Sequence, residues 1–365
     1  MTRRNIELKK KHEIIHHPVT DYSLFLSESK EYFRRYTLIH LSYSRKDAPL
    51  EKKLNPFDFK FIKPIGMGTF GLVYLTQLKC NEDFYAIKVL RKKTIMDSKA
   101  RIFINRSRRY LEGINFPFCQ KMLCSFQDTG FLFLCQKLRV GGDLYRHLCK
   151  QKRIYEPLAV FYAAQMVLAL EYLHFVGIVH RNIKLENILI HDNGYVKLTG
   201  FTFAKKIRDS VSYTLCGTTE YMAPEMIQQK GHNRSIDWWS LGVLIYEMVA
   251  GFSPFGADDT FKTYENIIKG KYAVCAHFSL GLEELLLGLL KIEPYERLGM
   301  MREGVQEVKD ARWFQDIDWL RLVNQQLHAP FIPKCKSIDS NFPELEIVKI
   351  IPPKDDLGQA LFRGF

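Results

Sequence analysis

The stretch from residue 179 to residue 206 places polar side chains around a predicted β-hairpin. Two short apolar runs, 188–190 and 195–198, flank an Asp192-Asn193-Gly194 turn, which is a strong hairpin signal. The polar side chains that come just before the hairpin are His180, Arg181, Asn182, Lys184, Glu186 and Asn187. An asparagine can hydrogen-bond a hydroxyl group but cannot take its proton at neutral pH, and Mg²⁺ prefers oxygen ligands that include a carboxylate. The loop therefore predicts a polar site in which Asn182 and Asn187 can hydrogen-bond but cannot accept a proton.

A glycine-rich run and a lysine follow one another in the first third of the chain. After Ile65, residues 66–73 match G-x-G-x-x-G-x-V, and Lys88 ends a Y-A-I-K strand signal. Such glycines let a hairpin backbone approach a triphosphate without Cβ clashes, although a structural glycine hairpin is an equal alternative for this motif alone. A lysine on the next strand can pair with phosphates. Together the two patterns favour a nucleotide site.

The combination resembles the protein kinases. Their catalytic hairpin carries H-R-D-x-K-x-x-N before the turn and D-F-G after it, and here the frame is intact while both aspartates are absent. The resemblance puts Asn182 at the base position and Gly200 at the metal-binding Asp, with Lys184 and Asn187 retained. It implies an α+β, two-lobe fold with a small β-rich lobe and a large, mainly α-helical lobe. ATP would then bind weakly, and Mg²⁺ would retain only the neutral ligand Asn187.

The helix expected at about 98–113 should carry the Glu that holds the strand lysine in this family. Its register puts Ser107 at that position, beside Arg106, Arg108 and Arg109. A short neutral side chain cannot clamp Lys88, and neighbouring cations would repel it. Glu112, five positions further on, points elsewhere on a helix and is a poor substitute.

Residues 214–225 read T-L-C-G-T-T-E-Y-M-A-P-E and differ at one position from the signature T-L-C-G-T-P-E-Y-x-A-P-E. The resemblance implies that Thr214 is phosphorylated and pairs with Arg181, with Lys205 placed to help. It also makes Thr218 a catalytic-site residue and predicts a buried pair between Glu225 and Arg297. A structural role in the large lobe is the preferred interpretation of this region.

The end of the chain resembles the tail of the AGC kinases, in particular the cyclic-AMP-dependent group, whose catalytic subunit ends F-x-x-F. Here the last four residues are F-R-G-F, and the resemblance covers roughly residues 22–365. It implies that Phe362 and Phe365 pack into a groove of the small lobe and that Phe342 approaches the adenine. An F-x-x-F pair without such a groove would be exposed.

The same resemblance assigns the remaining nucleotide and lobe-linking positions. The expected nucleotide-binding residues are Ile65, Gly66, Gly68, Gly71, Val73, Ala86, Lys88, Leu189 and Phe342. Two apolar columns are expected, one of Leu111, Met122, His180 and Phe201, the other of Val73, Ala86, Leu144 and Leu189. Gln136 and Lys137, at the predicted hinge, are more polar than is usual there.

Four carboxylates stand where the cyclic-AMP-dependent kinase binds arginines upstream of its target Ser or Thr. They are Asp143, Glu186, Glu220 and Glu247. Carboxylates favour bidentate pairing with guanidinium groups, although ordinary surface acids remain the alternative. The pattern predicts Arg-rich peptides, or a regulatory subunit of that kinase type, as partners.

Composition narrows the class without choosing a partner. The net charge of +13, with 47% apolar and 25% charged residues, is compatible with a basic globular protein, and no RNA- or DNA-binding signature is visible. The eight cysteines show no CxxC spacing, so we expect reduced thiols. No signal peptide, transmembrane run or N-myristoylation site is seen. We therefore expect a monomer without a membrane partner, located in the cytoplasm or alternatively in the nucleus.

We expect three regions: a basic tail and added helix at 1–56, a kinase domain at 57–314 whose lobes meet near 138–139, and a C-terminal tail at 315–365. The favoured hypothesis is a catalytically impaired kinase homologue that binds basic peptides or regulatory partners. The first alternative is an active ATP-dependent Ser/Thr kinase that phosphorylates Arg-directed sites in a cAMP-type pathway. Such a kinase would need another carboxylate, such as Asp192 or Asp209, in place of the absent aspartates. The second is a basic nucleic-acid binder.

Overall fold

The computed structural model describes residues 18–42, 54–98, 100–207, 210–348, 350–353, 358–362 and 365. Residues 1–17 of the predicted basic tail at 1–20, and Asp209, lie outside these residues. The chain divides into two compact units. The small unit comprises Met1–Asn115, Gln120–Val140 and Cys335–Phe365, and the large unit comprises Phe116–Cys119 and Gly141–Lys334.

The small unit is built on one antiparallel sheet. Its regular elements are α1 (Tyr22–Ser42), β1 (Phe59–Gly68), β2 (Gly71–Leu78), β3 (Phe84–Arg91), α2 (Lys92–Asp97), α3 (Arg101–Gly113), β4 (Met122–Gln127) and β5 (Phe131–Lys137). The strand order is β1-β2-β3-β5-β4. Aromatic residues of β1, β3, β4 and β5 form the core on one face: Phe59, Tyr85, Phe126 and Phe133. Cross-strand contacts among these buried aromatic side chains stabilise the sheet.

Helix α1 packs on α3 through a glycine. A Cβ atom at Gly113 would lie 3.0 Å from the ring of Phe33, which is buried, so the glycine permits the close approach of the two helices. The rings of Phe33 and Tyr110 are 6.2 Å apart. The predicted added helix at Tyr22–Ile39 is therefore present, and it packs within the small unit.

The large unit is mainly helical among its described residues. Its regular elements are α4 (Leu144–Gln151), α5 (Glu156–Phe175), β6 (Ile178–Val179), β7 (Ile188–Ile190), β8 (Val196–Leu198), β9 (Lys205–Lys206), α6 (Pro224–Ile227), α7 (Ser235–Ala250), α8 (Thr260–Lys269), α9 (Leu280–Leu289), α10 (Val305–Lys309) and α11 (Trp319–Val323). Strand β6 pairs with β9, and β7 pairs with β8 across the predicted turn.

Two helices form the core of the large unit. Residues 235–249 of α7 are all buried, as its near-continuous apolar sequence predicts. The sequence predicts an amphipathic helix at 157–175, but α5 is buried on almost all sides because α7, α10 and strand β8 pack around it. By length and composition α5 could cross a membrane, yet 78% of its apolar window is buried inside the protein.

The α+β, two-lobe fold expected from the sequence is confirmed by the five-stranded small unit and the helical large unit. The predicted strand at 131–138 is β5, and the predicted hairpin is β7–β8. The helix expected at 98–113 is the shorter α3, because α2 ends at Asp97 and α3 begins at Arg101. The region boundaries near residues 56, 138 and 314 stay a prediction.

Candidate functional site

The polar loop that precedes the hairpin is anchored by one buried carboxylate of α7. Asp237 accepts hydrogen bonds from the main-chain N–H groups of His180 and Arg181, both at 2.8 Å. Its Oδ2 also lies 2.9 Å from Nε2 of His174. Burial alone would raise the pKa of Asp237, but the hydrogen bond and charge of His174 and these donors lower it. The arrangement fixes the backbone at Arg181, whose φ of +65° is unusual for a residue with a side chain.

The residues at the predicted base and metal positions form one contact set in the large unit. Asn187 donates from Nδ2 to the carbonyl oxygen of Asn182 at 2.8 Å. Gly200 has a φ of +83°, and a Cβ atom there would overlap the side-chain amide of Asn187. The Asn187 amide therefore occupies the space into which a side chain at position 200 would project. No carboxylate belongs to this contact set.

The other predicted catalytic residues lie on the same unit. Lys184 is paired with Glu186 at 3.3 Å, so its charge is partly compensated. Thr218 precedes the short helix at Thr219–Tyr221, and its carbonyl oxygen accepts from the N–H of Tyr221 at 3.0 Å. Among the alternative carboxylates, Asp192 is exposed and its carboxylate contacts Nδ1 of the neighbouring His191.

The large-unit members of the predicted columns are mostly buried. The rings of His180 and Phe201 meet edge to face at 4.8 Å, and Nε2 of His180 lies 2.9 Å from the carbonyl oxygen of Thr199. Burial lowers the pKa of His180 to about 4, so the ring is neutral at physiological pH. Leu144 is fully buried and Leu189 is half-buried.

Two glycines of the glycine-rich strands differ in whether the structure has room for a side chain. A Cβ atom at Gly71 would overlap the carbonyl oxygen of Val89 on β3, so this glycine is required by strand pairing. A Cβ atom at Gly68 would make only an ordinary contact, 3.4 Å from Cε of Lys88. Ile65 is buried on β1, and the other small-unit nucleotide positions, Gly66, Val73 and Ala86, are half-buried on β1, β2 and β3.

Lys88 lies on β3 opposite Val73, and burial lowers the pKa of its ammonium group. Within the described part of the small unit, no carboxylate forms an ion pair with Lys88. Ser107 is buried on α3, as the register predicts, and provides no charge. Glu112 instead forms an ion pair with the buried Arg108. The prediction that Glu112 does not clamp Lys88 agrees with this pairing.

Strand β5 ends in a hydrogen-bonded arrangement that the sequence did not reveal. The buried side chain of Gln120 donates from Nε2 to the carbonyl oxygen of Lys137 at 2.9 Å and accepts from Nε of Arg139 at 2.9 Å. Gln136 is half-buried and the side chain of Lys137 is exposed. Neither the type nor the spacing of Gln120 distinguishes it from a surface glutamine, so no sequence signal pointed to it.

The four predicted peptide-binding carboxylates all belong to the large unit. Glu247 is 8% exposed and accepts a hydrogen bond from the hydroxyl group of Tyr221. Burial, together with the nearby charges of Glu186 and Glu220, raises the pKa of Glu247 to about 7. Asp143 caps α4, accepts from the N–H of Arg146 at 2.9 Å, and has a raised pKa, chiefly because of burial.

The cations expected to bind a phosphate on Thr214 contact a different hydroxyl group. Arg181 and Lys205 both donate to Oγ of Ser212, and Thr214 lies half-buried two residues further on. The predicted pair of Glu225 and Arg297 is confirmed: it is buried and bidentate, with distances of 2.8 and 3.1 Å.

The C-terminal residues lie on the small unit. Phe362 is fully buried and Phe365 is 8% exposed, with Lys92 above the first ring and Arg108 5.5 Å from the centre of the second. Gln127 donates to the carbonyl oxygen of Phe362 at 2.9 Å.

Upstream in the same tail, Lys63 pairs with Asp339 at 2.5 Å, and this contact lowers the pKa of Asp339 to about 2. Phe342 is half-buried, and its N–H donates to the carbonyl oxygen of Asp339 at 3.1 Å. The tail is thus held to the small unit at several separate points.

Residues 59–314 match the family of the protein kinase domain, so the chain belongs to that family. The chain is 43% identical over 315 residues to the cAMP-dependent protein kinase catalytic subunit of Dictyostelium discoideum, across 84% of this chain and 48% of that protein. It is 42% identical over 276 residues to cAMP-dependent protein kinase type 3 of Saccharomyces cerevisiae, across 76% of this chain and 69% of that protein. It is 39% identical over 314 residues to the human cAMP-dependent protein kinase catalytic subunit PRKX, across 84% of this chain and 87% of that protein.

The chain is therefore a protein kinase domain with homologues among cAMP-dependent Ser/Thr kinase catalytic subunits. The matched region spans about half the length of the Dictyostelium relative and most of the human one. Members of this family use ATP and Mg²⁺ for phosphoryl transfer.

Proposed function

We propose that this chain is a catalytically impaired member of the protein kinase family that binds Arg-rich segments without phosphorylating them efficiently. The observation that carries the proposal is the contact of Asn187 with Gly200. Position 200 has no side chain, and the amide of Asn187 fills the space where one would project. A site that has lost a carboxylate and filled its volume has lost the means to neutralise phosphate charge.

The metal does not fit this arrangement. Mg²⁺ is bound in proteins by one or two carboxylates together with phosphates and waters. The contact set of Asn182, Asn187 and Gly200 offers only amide and carbonyl oxygens, and the described residues contain no group of three or more His, Cys, Asp or Glu side chains suited to a metal. We therefore assign no step of this protein's action to a bound magnesium ion.

The base position adds a second defect. The amide of Asn182 cannot accept a proton from a substrate hydroxyl at neutral pH. Loss of a general base typically slows a reaction by about 10²–10⁴, which corresponds to roughly 3–5 kcal/mol of activation free energy. Lys88 lacks an ion-pair partner in the described small unit, so a third element of the usual machinery is altered. The three effects act on one transition state and do not simply add.

Nucleotide binding by the small unit is proposed to be weak. The backbone of the glycine-rich strands β1 and β2 would contact the phosphates of ATP. The negative charge of these phosphates would pair with the ammonium group of Lys88. A lysine without a carboxylate partner is less well oriented for this contact, and burial already lowers its pKa. We expect this binding to be independent of magnesium.

Recognition of basic segments is supported by the carboxylates of the large unit. Glu247 is buried and oriented by Tyr221, while Glu186 and Glu220 contribute negative charge nearby. A preformed group of carboxylates pairs well with the planar guanidinium of arginine. Relatives are named for dependence on cAMP, and we propose an Arg-rich peptide, or the Arg-rich segment of a regulatory partner of that kinase type, as the ligand. We also propose a monomeric, cytoplasmic protein.

The test is a turnover assay beside a binding assay. Purified chain is incubated with radiolabelled ATP, Mg²⁺ and an Arg-Arg-x-Ser peptide, and the binding of the same peptide is measured by calorimetry. We expect peptide binding with negligible phosphate transfer, and weaker binding of a peptide whose arginines are replaced by alanine. Turnover within about tenfold of an ordinary kinase, lost in Lys88→Ala, would establish an active kinase instead.

A thermal-shift series separates the nucleotide from the metal. Stabilisation by ATP grows with occupancy and reports binding without any chemistry. We expect a small shift that is the same with and without Mg²⁺. A shift that grows with magnesium concentration contradicts the proposed loss of the metal site.

A further inference from the structure

Ser212 lies at the centre of a buried polar contact in the large unit. Its side chain is 1% exposed. Its Oγ accepts a hydrogen bond from Nη1 of Arg181 at 3.2 Å and another from Nζ of Lys205 at 3.0 Å. A neutral hydroxyl oxygen therefore receives two charge-assisted hydrogen bonds inside the protein.

The two cations are held in place by contacts that do not involve Ser212. The main-chain N–H of Arg181 donates to Asp237, and its Nε donates to the carbonyl oxygen of Phe203 at 2.8 Å. Lys205 belongs to strand β9, where it pairs with Val179 of β6. The donors are thus positioned by the fold, and the segment that carries Ser212 docks against them.

The backbone of Ser212 reinforces this docking. Ser212 and His232 form an isolated antiparallel bridge in which each N–H donates to the other's carbonyl oxygen at 2.9 Å. Burial, followed by the charge of Arg181, lowers the pKa of His232 to about 4, so the imidazole adds no third cation at neutral pH. The flanking side chains of Val211 and Tyr213 are 47% and 66% exposed, which leaves Ser212 as the inward-facing residue of the three.

We propose that Ser212, in its unmodified form, is the residue through which Arg181 and Lys205 hold residues 210–218 in place. The consequence is that this segment keeps its conformation without a phosphate on Thr214. Thr214 is half-buried, and its own hydroxyl takes no part in these contacts. The proposal goes beyond the proposed function, because it holds whether or not the protein transfers phosphate.

Hydrogen exchange of the full chain, measured by mass spectrometry after phosphatase treatment, tests the proposal. Ser212→Ala removes the acceptor of two charged donors, so amides of 211–217 should exchange about 10- to 100-fold faster than in the wild type. In Thr214→Ala the exchange of these amides should stay within about twofold of the wild-type rate. The matched control Ser210→Ala should behave in the same way, because residue 210 is exposed. Lys205→Met removes one donor and should give a smaller acceleration than Ser212→Ala.

Two results would overturn this assignment. The first is faster amide exchange at 211–217 in the wild type after phosphatase treatment, together with an acceleration in Thr214→Ala as large as that in Ser212→Ala. The second is unchanged exchange at 211–217 in both Ser212→Ala and Lys205→Met. Thermal unfolding of each variant distinguishes local loosening from global loss of structure, and neither readout depends on nucleotide or peptide. A failure here therefore leaves the proposed function to be judged by its own assays.

Discussion

Glu247 of α7 accepts a hydrogen bond from the hydroxyl group of Tyr221, in the interior of the large unit. Burial is the largest cause of the raised pKa of Glu247, about 7, and the charges of Glu186 and Glu220 raise it further, while the hydrogen bond from Tyr221 and the charge of Lys184 lower it. A carboxylate that is costly to ionise is stabilised when a guanidinium arrives, because the new ion pair favours the charged form. If the proposed Arg-rich ligand binds at Glu247, its affinity should therefore depend on pH.

We predict that an Arg-rich peptide binds about tenfold more weakly at about pH 6 than at about pH 8, because Glu247 must lose its proton to pair with arginine. Calorimetry at both values measures the difference. Glu247→Gln should bind weakly at both and show a flat profile. An unchanged pH dependence in Glu247→Gln would assign the effect to another group.

The carboxyl group of Glu247 also affects the free energy of unfolding, with a pH dependence opposite to that expected for peptide binding. Its pKa is higher in the folded chain than the ordinary value of 4.5, so the folded state holds more protons between about pH 4.5 and about pH 7. The contribution of Glu247 to the free energy of unfolding is therefore present below this range and is lost as the pH rises through it. Urea unfolding of the wild type and of Glu247→Gln, compared across that range, measures the difference.

Gly200→Ala should destabilise the chain by about 2–3 kcal/mol, because the left-handed backbone is unfavourable for alanine and because Asn187 must move and lose its hydrogen bond. Urea unfolding measures the free energy of unfolding. In the background of Asn187→Ala the added cost of Gly200→Ala should be smaller, since the overlapping amide is gone. Equal costs in both backgrounds would mean that Asn187 does not fill this space.

Phe362→Ala should cost about 3–5 kcal/mol, because it removes a fully buried ring. The matched control is Leu361→Ala, which changes a neighbouring side chain that is 45% exposed and should shift the free energy of unfolding by about 0.5 kcal/mol or less. Thermal unfolding and exchange in the small unit report the two effects. Similar small effects of both substitutions would mean that the aromatic tail does not stabilise the small unit.

Gly71→Ala should destabilise the nucleotide-free protein by about 1–3 kcal/mol, because its Cβ would collide with the backbone carbonyl of Val89. Gly68→Ala meets only the end of a flexible lysine side chain and should cost about 0.5 kcal/mol or less. Unfolding in the absence of nucleotide makes the comparison. If the two variants differ only when ATP is present, phosphate approach rather than strand pairing explains Gly71.

The fold was predictable wherever pattern and packing agree. The apolar run of α7, the Asn193-Gly194 turn between β7 and β8, and the Glu225–Arg297 pair all follow from local sequence or from the resemblance. The amphipathic interpretation of α5 was wrong because its small and polar positions are covered by other elements of the large unit. A single helix face cannot be assigned from sequence when both faces meet protein.

The roles of the predicted site residues stay a prediction, and the sequence could not predict the contacts among them. The resemblance singles out Asn182 and Gly200, yet it cannot show that the amide of Asn187 occupies the space beside Gly200. The choice of Ser212 over Thr214 depends on which hydroxyl turns inward, and that is decided by the bridge to His232. The pair of Arg108 and Glu112 could have been found, because opposite charges four residues apart on a helix are neighbours.

The amide of Gln120 has a consequence for chemical probes. Its Nε2 already donates to the carbonyl oxygen of Lys137, so a small molecule designed to donate to that oxygen would have to share the acceptor with the protein's own side chain. Gln120→Leu would create a version of the chain with an altered preference among such compounds.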